Sequence, residues 1–387
     1  RYKGMEEFAL QLPVARNYTP ELLVASLVKN EGMISPRHYY VHLYVNGQYV
    51  GIRHLAESFA RELIESNKKR YGPIFSLDEN LSTAFKISRF DLADSKAWST
   101  LSTPIDKQGR SVLEAMQNKP NLVNKYFEID LWAKYFALMD SMGMIHGARA
   151  KSVKFFLNPV SGLFEPIFYD GHYSTSNYRL SDVLIPDLEP PDCHLGCINK
   201  KLKEDLRDEF PFWKMFFGVP ENINYRFYSS YLNYLEKFSS NEYREKKIKP
   251  IWDKLWLERG SLYRQFRRRA DNNNYGLMPH IAPWSVINMR LDQIQSEVKD
   301  SKTKFPLLSI DSSQSKLRIL NESTRLPQLA YIRCEETKNG PFILLKGKQH
   351  DFNLKQLGEC NINNSFLSLN NFRSELSLKD QRYTDSN

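Results

Sequence analysis

The sequence predicts an α+β protein: a small β-containing N-terminal region, a mainly helical middle, and a small β unit at the C-terminus. Three observations predict it. Two stretches alternate apolar and polar residues around tight turns, as hairpins do. One long segment repeats its apolar residues at helical spacing. Beyond about residue 304 the pattern changes to short alternating runs separated by polar residues. The expected divisions are 1–118, 119–303 and 304–387.

The elements follow in order. Residues 1–12 read as a strand, with Phe8, Leu10 and Leu12 on one face. Pro20 opens a helix over 21–30, and Gly32 closes it. Residues 38–45, Asn46-Gly47 and 48–55 form the clearest hairpin, since Asn-Gly accepts the positive φ that a type I′ turn demands. A helix is expected from Glu57 to Lys69, with Ala60, Leu63 and Ile64 inward. Between 120 and 144, Leu122, Tyr126, Phe127, Leu131, Tyr135, Leu138 and Met142 mark a buried helix. A second hairpin pairs 152–157 with 163–169 across Asn158-Pro159-Val160-Ser161-Gly162. Residues 171–200, with Pro186, Pro190 and Pro191, read as a long loop of the kind that covers sites. Helices are expected over 201–268 and 285–299. Strands are expected at 307–310, 317–320, 329–332, 342–345 and 366–369.

Composition bounds the function. The chain has 387 residues, 41% hydrophobic and 13% aromatic, enough for a large core. A formal charge of +9 suits phosphate-bearing ligands, anionic lipid or nucleic acid, or is a solvated basic surface. The run Arg264 to Arg269 reads as a solvated helix end, and no nucleic-acid motif accompanies it, which argues against nucleic acid as a partner. No stretch of 18 apolar residues predicts a membrane-spanning helix. Neither a Gly-x-Gly-x-x-Gly nor a Walker-type loop occurs, so the common nucleotide motifs are missing. Cys193 and Cys197 bracket a short turn, while Cys334 and Cys360 stand apart. Unpaired thiols, a local disulfide and a zinc site are all compatible with that spacing. The chain opens at Arg1 in strand-like sequence, so upstream residues, including a targeting segment, are expected.

The chemistry concentrates between Asp140 and His172. A buried helix runs into the polar turn that holds His146, Arg149, Lys151 and Ser152; a hairpin follows, and its second strand ends in Tyr169-Asp170-Gly171. Protein kinases build the lower half of their ATP site from this order of parts. The first loop carries the base and a metal-binding amide; the aspartate after the hairpin carries Mg²⁺. A single strand-end carboxylate is chemically sufficient as an anchor, because Mg²⁺ takes one or two protein carboxylates and completes its shell with phosphate and water. Asp170 before glycine is equally a turn former, and His146 equally caps a helix C-terminus, where positive charge is favoured.

These residues resemble a known family. The segment 44–57, with Tyr44, Asn46, Gly47, Tyr49, Gly51, Leu55 and Glu57, resembles the hairpin of kinases similar to spore coat protein H (CotH-like kinases). The helix at 128–140, the hairpin containing Asn158 and Gly162, and the run Glu165 to Asp170 resemble that family's helix, hairpin and metal aspartate. Residues 1–16 resemble the strand before its first helix. The resemblance covers about residues 1–275. It implies an atypical protein-kinase-like fold, ATP with Mg²⁺ or Mn²⁺ as cofactors, phosphoryl transfer to protein Ser/Thr hydroxyls, and a place outside the cytoplasm in an envelope or coat. It assigns the metal to Asp170 with Ser152, and nucleotide contacts to Lys86, Arg149 and Lys151, with Glu57 as the salt-bridge partner of the nucleotide-binding lysine and Lys3 or an upstream lysine competing for the place of Lys86.

Two departures qualify it. Where the family has a catalytic aspartate ending the long helix, this chain has His146, with Asp140 upstream as the alternative base. Where the family has a metal-binding asparagine, it has Ser152. A histidine still accepts a proton near neutral pH, and a hydroxyl is a weaker oxygen ligand than an amide carbonyl. The same departures support a rival expectation, a pseudokinase that serves as an assembly module with a protein partner.

Overall fold

The computed structural model describes residues 1–16, 18–77, 87–89, 103–116, 122–150, 152–171, 210–219, 222–270 and 284–303, and seven strands between 307 and 377. The expected loop at 172–200, all four cysteines, Lys86 and Lys151 fall outside these residues. No described helix is long and apolar enough to cross a membrane.

The first sheet holds β1 (Phe8–Gln11), β2 (His38–Val45) and β3 (Gln48–Glu57) in the order β1-β3-β2, all antiparallel. Its hairpin turns at Asn46 (φ 50°) and Gly47 (φ 79°), the positive angles a type I′ turn requires. Helix α1 (Thr19–Asn30) has proline in its first turn and buries Leu23, Val24, Leu27 and Val28. Strand β3 continues to Glu57, and helix α2 spans only Arg61–Ser66. The expected helix start at Glu57 is therefore corrected. Residues 54–57 pair in register with β1, so Glu57 closes a strand.

A second antiparallel sheet runs β5-β4-β6-β7, from β4 (Ile74–Leu77), β5 (Ile87–Arg89), β6 (Lys154–Leu157) and β7 (Phe164–Ile167). It lies against the main core. Helix α3 (Pro104–Met116) contributes Leu113 and Met116 to that core. The long helix expected over 120–144 is broken in two: α4 (Val123–Tyr126) and α5 (Ile129–Ser141). Phe127 between them is extended and bridges Phe164, and the Glu128 N–H donates to the Phe164 carbonyl at 3.0 Å. Sheet pairing at this point outcompetes helix continuation. Trp132 on α5 fixes the same junction, its indole N–H donating to the Phe164 carbonyl at 2.8 Å.

The helical region packs α5 against α6 (Phe210–Phe217) and α7 (Tyr225–Ser239) through an aromatic cluster. Trp132 stacks on Phe216 with centroids 4.9 Å apart, and Phe217 meets Phe227 edge-on at 4.9 Å. Ring pairs of this kind add about 0.5–1.5 kcal/mol each beyond area burial. Short helical turns over 241–254 lead into α8 (Trp256–Ala270), and α9 (Trp284–Thr303) follows. Helix α8 holds the first hairpin: Gln265 accepts from the Ile52 N–H at 2.9 Å and the Tyr49 hydroxyl at 3.0 Å. In the C-terminal region β8 (Leu307–Asp311), β9 (Lys316–Leu320), β10 (Gln328–Arg333), β11 (Phe342–Leu345), β12 (His350–Asn353), β13 (Phe366–Asn371) and β14 (Ser374–Ser377) form two antiparallel sheets, in the orders β8-β9-β12 and β11-β10-β13-β14. Two of these strands, His350–Asn353 and Ser374–Ser377, go beyond those the sequence pattern suggested.

Candidate active site

The turn after α5 and the end of β7 meet. Residues 145–148 form a 3-10 turn, anchored by the Tyr135 hydroxyl donating to the Gly147 carbonyl at 2.7 Å and the Trp213 indole donating to the Ala148 carbonyl at 2.9 Å. Burial pushes the Tyr135 phenol up, so it stays a neutral donor. Two glycines permit the approach. A Cβ on Gly147 would sit 3.3 Å from Gly171 Cα, and a Cβ on Gly171 would collide with the Phe168 ring at 2.3 Å.

Between those glycines stands Asp170, in the left-handed region at φ 55°. Aspartate tolerates that conformation better than most residues, yet it remains strained, and such strain concentrates at functional sites. Four side chains converge there. His146 Nδ1 lies 3.1 Å from Asp170 Oδ2 and 3.1 Å from the Asp170 carbonyl. Ser152 Oγ is 3.2 Å from the same ring nitrogen and 3.4 Å from Asp170 Oδ2. Arg16, from the 3-10 turn Pro13–Arg16, forms an ion pair with Asp170 Oδ1. Its Nε also donates to Gln11 at 2.7 Å. The Asp170 side chain is 21% exposed, against 7% for Arg16, so the carboxylate is the member solvent and ligands can reach.

Two cations flank the ring of Tyr169, the residue before the carboxylate. The Arg16 guanidinium lies 5.1 Å from the Tyr169 ring centroid and the buried Lys154 ammonium 4.9 Å. Neither Arg16 nor Lys154 stood out as a site residue in the sequence. A signal for Lys154 was present: it is the one charge in a strand, Lys-Phe-Phe-Leu, whose four residues are all buried. Arg16 is 154 positions from its partner, and no local pattern announces such a contact.

The other sequence candidates distribute differently. Ser152 is buried beside Asp170, as described. Arg149 is half-buried at the end of the 3-10 turn, and its carbonyl accepts from the Ser152 N–H at 3.0 Å and the Val153 N–H at 2.9 Å. Asp140 is fully buried, accepting from the Tyr231 hydroxyl on α7 at 2.6 Å, while its carbonyl accepts from Arg290 Nε on α9 at 3.0 Å. Its carboxylate is thus engaged between helices. Glu57 is buried, but its partner is Arg37, not a lysine. Arg37 Nε donates to Oε2 at 3.0 Å, the Arg37 N–H donates to the same oxygen at 2.9 Å, and Nη2 pairs with Oε1. Lys3 lies over the Tyr39 ring at 3.8 Å.

The donor set fits a hard divalent cation and phosphate. Asp170 and Ser152 offer oxygens 3.4 Å apart, and the nearby cations suit the charge of a polyphosphate. It does not fit a serine-hydrolase relay, because hydroxyl and carboxylate both meet the same imidazole nitrogen, whereas a relay needs one on each.

In this α+β chain, helix, polar turn, hairpin and strand-end aspartate build one polar centre. The family model described as CotH kinase protein matches residues 1–258, and the chain belongs to that family. No curated protein matches it.

Proposed function

We propose that this CotH-family protein binds ATP with Mg²⁺ or Mn²⁺ at Asp170 and transfers the terminal phosphoryl group to Ser/Thr hydroxyls of a protein substrate. The observation that carries the proposal is the meeting of Asp170, His146 and Ser152 at one point where the two glycine-bearing segments cross. Asp170 and Ser152 are the residues that would hold the cation, which supplies charge neutralisation on the phosphates. Lys154 and Arg149 supply positive charge toward the nucleotide, with Lys151 and Lys86 as further proposed contacts. His146 takes the proton of the attacking hydroxyl through its ring, oriented by Asp170. Glu57, clamped by Arg37, stiffens the end of β3 rather than meeting a nucleotide-binding lysine. The acceptor would be a protein of a coat or envelope outside the cytoplasm.

A second reading has its own observation. Arg16 already neutralises Asp170, and Asp140 is committed to Tyr231, which suits a pseudokinase acting as an assembly module. Incubating the chain with radiolabelled ATP, Mn²⁺ and dephosphorylated casein separates the two. Label incorporated by the wild type and lost in Asp170→Ala supports phosphotransfer. Equal incorporation in both removes Asp170 from that role, and no incorporation in either supports the pseudokinase.

A further inference from the structure

On the opposite side of Arg16 from Asp170 lies a second polar cluster, formed by Glu21, His38 and His54. The sheet register explains how the histidines meet. Tyr40 pairs directly with His54 across β2 and β3, and His38, two residues earlier on the same face, is its diagonal neighbour. The rings lie 5.1 Å apart, with His38 Nδ1 3.0 Å from His54 Nε2. Glu21, in the first turn of α1, brings Oε2 to 3.8 Å from His54 Nδ1.

The polar atoms of this cluster are poorly satisfied. The His54 side chain is 0% exposed, and its Nδ1 has no hydrogen-bond partner; neither has His38 Nε2 nor the buried Tyr40 hydroxyl. Tautomers do not remove the problem. One neutral ring donates to the other, and either choice leaves two ring nitrogens buried without a bond. Burial of such groups is costly, so native interiors fill such places with water or an ion.

We infer that Glu21, His38 and His54 form a transition-metal site, separate from the Asp170 centre and suited to Zn²⁺. One ligand atom from each residue can be chosen so that all three lie within 4.8 Å of one another. Two imidazoles and one carboxylate are a recurrent zinc set, with about 2.0–2.1 Å bonds and a fourth position for water or another ligand. Imidazole nitrogen selects zinc-like ions over Mg²⁺, which keeps this site chemically distinct from the oxygen donors at Asp170. Both histidines are held neutral, the form that ligates, chiefly by burial. Arg16 is the nearby opposing charge. Its Nε is 3.8 Å from Glu21 Oε2, beyond hydrogen-bond length, while its other end is committed to Asp170. A metal would therefore take Glu21 without breaking a hydrogen bond to Arg16, and would leave the guanidinium to Asp170 and Gln11.

The test uses the full chain, freed of metal with a chelator and titrated without nucleotide. One equivalent of Zn²⁺ is expected to bind. Co²⁺ in its place is expected to give the intense visible absorption of a low-coordinate site and two paramagnetically shifted imidazole N–H signals. Glu21→Gln and His38→Gln should each weaken Zn²⁺ binding at least about tenfold, whereas Asp170→Asn should leave it unchanged. Absent stoichiometric uptake, meaning that water alone fills the cluster, overturns the inference. So does uptake that survives both ligand substitutions or disappears in Asp170→Asn. Should a substituted chain fail to fold, the cobalt spectrum of the wild type decides alone, and a spectrum without two imidazole signals overturns the site.

Discussion

His146 contacts Asp170 twice through one atom: Nδ1 lies 3.1 Å from the carboxylate Oδ2 and 3.1 Å from the main-chain oxygen of the same residue. A ring gripped in this way has its orientation fixed, and Nδ1 is the nitrogen occupied by the grip. His146→Gln is therefore expected to lower phosphoryl transfer about 100-fold, the scale of a lost general base, while ATP affinity changes less than about threefold. Steady-state transfer rates beside equilibrium ATP titrations check the split. A parallel loss of affinity would make His146 a binding residue.

Asp140 gives the opposite expectation. Its carboxylate is buried under the Tyr231 hydroxyl at 2.6 Å. Asp140→Ala leaves that hydroxyl without its partner and opens a cavity between α5 and α7, at a cost of about 2–4 kcal/mol. Urea denaturation should show this loss. Asp140→Asn, which preserves volume, should keep nucleotide affinity; a selective fall in transfer rate with stability intact would return Asp140 to the role of base.

Arg37 and Glu57 behave as a buried pair. Arg37→Met strands the Glu57 carboxylate at the end of β3 and should destabilise the chain by about 3 kcal/mol. Replacing both, Arg37→Met with Glu57→Gln, should recover part of that loss, which a double-mutant cycle of urea midpoints measures. If Glu57 instead served a nucleotide-binding lysine, the single Arg37 change would leave stability nearly intact.

The two buried histidines set a pH dependence in the metal-free protein. Burial first, and the charge of Arg16 second, hold His54 down to about 3. Burial also lowers His38 well below its usual value, with His54 and Arg16 adding to it. The unfolded chain protonates both near pH ~6.5, whereas the folded chain does not. Below that pH the unfolded state binds more protons, so stability falls as pH drops. It is fully present above ~6.5; His54 contributes a slope of about 1.4 kcal/mol per pH unit through the window down toward 3, and His38 adds to it in the same direction. Chelator-treated wild type and His54→Gln, unfolded in urea at several pH values, should differ in that slope.

Much of this arrangement was legible in the sequence, and the rest was not for physical reasons. Asn46-Gly47 declared its hairpin, because few residues accept two positive φ angles in succession. The break at Phe127 was hidden, since helical spacing of apolar residues continues through it, and only the partner strand at Phe164 reveals the extended residue. Glu57 looked like a helix start because acids favour that position, yet β1 keeps it in a strand. The approach of His146 and Ser152 to Asp170 followed from the order of helix, turn and hairpin. Arg16, Arg37 and Glu21 reach their partners through tertiary packing, which periodicity does not encode.

The Asp170 carboxylate, as anchor of a metal-bound nucleotide, is the group on which the proposed phosphoryl transfer depends. Titrating Mn²⁺ into the chain with ATP present, and following free Mn²⁺ by electron paramagnetic resonance, measures that anchor without requiring turnover. The wild type should sequester Mn²⁺ in an ATP-dependent manner, and Asp170→Asn should weaken this at least about 30-fold, equivalent to about 2 kcal/mol. Equal sequestration by the two proteins would contradict the account.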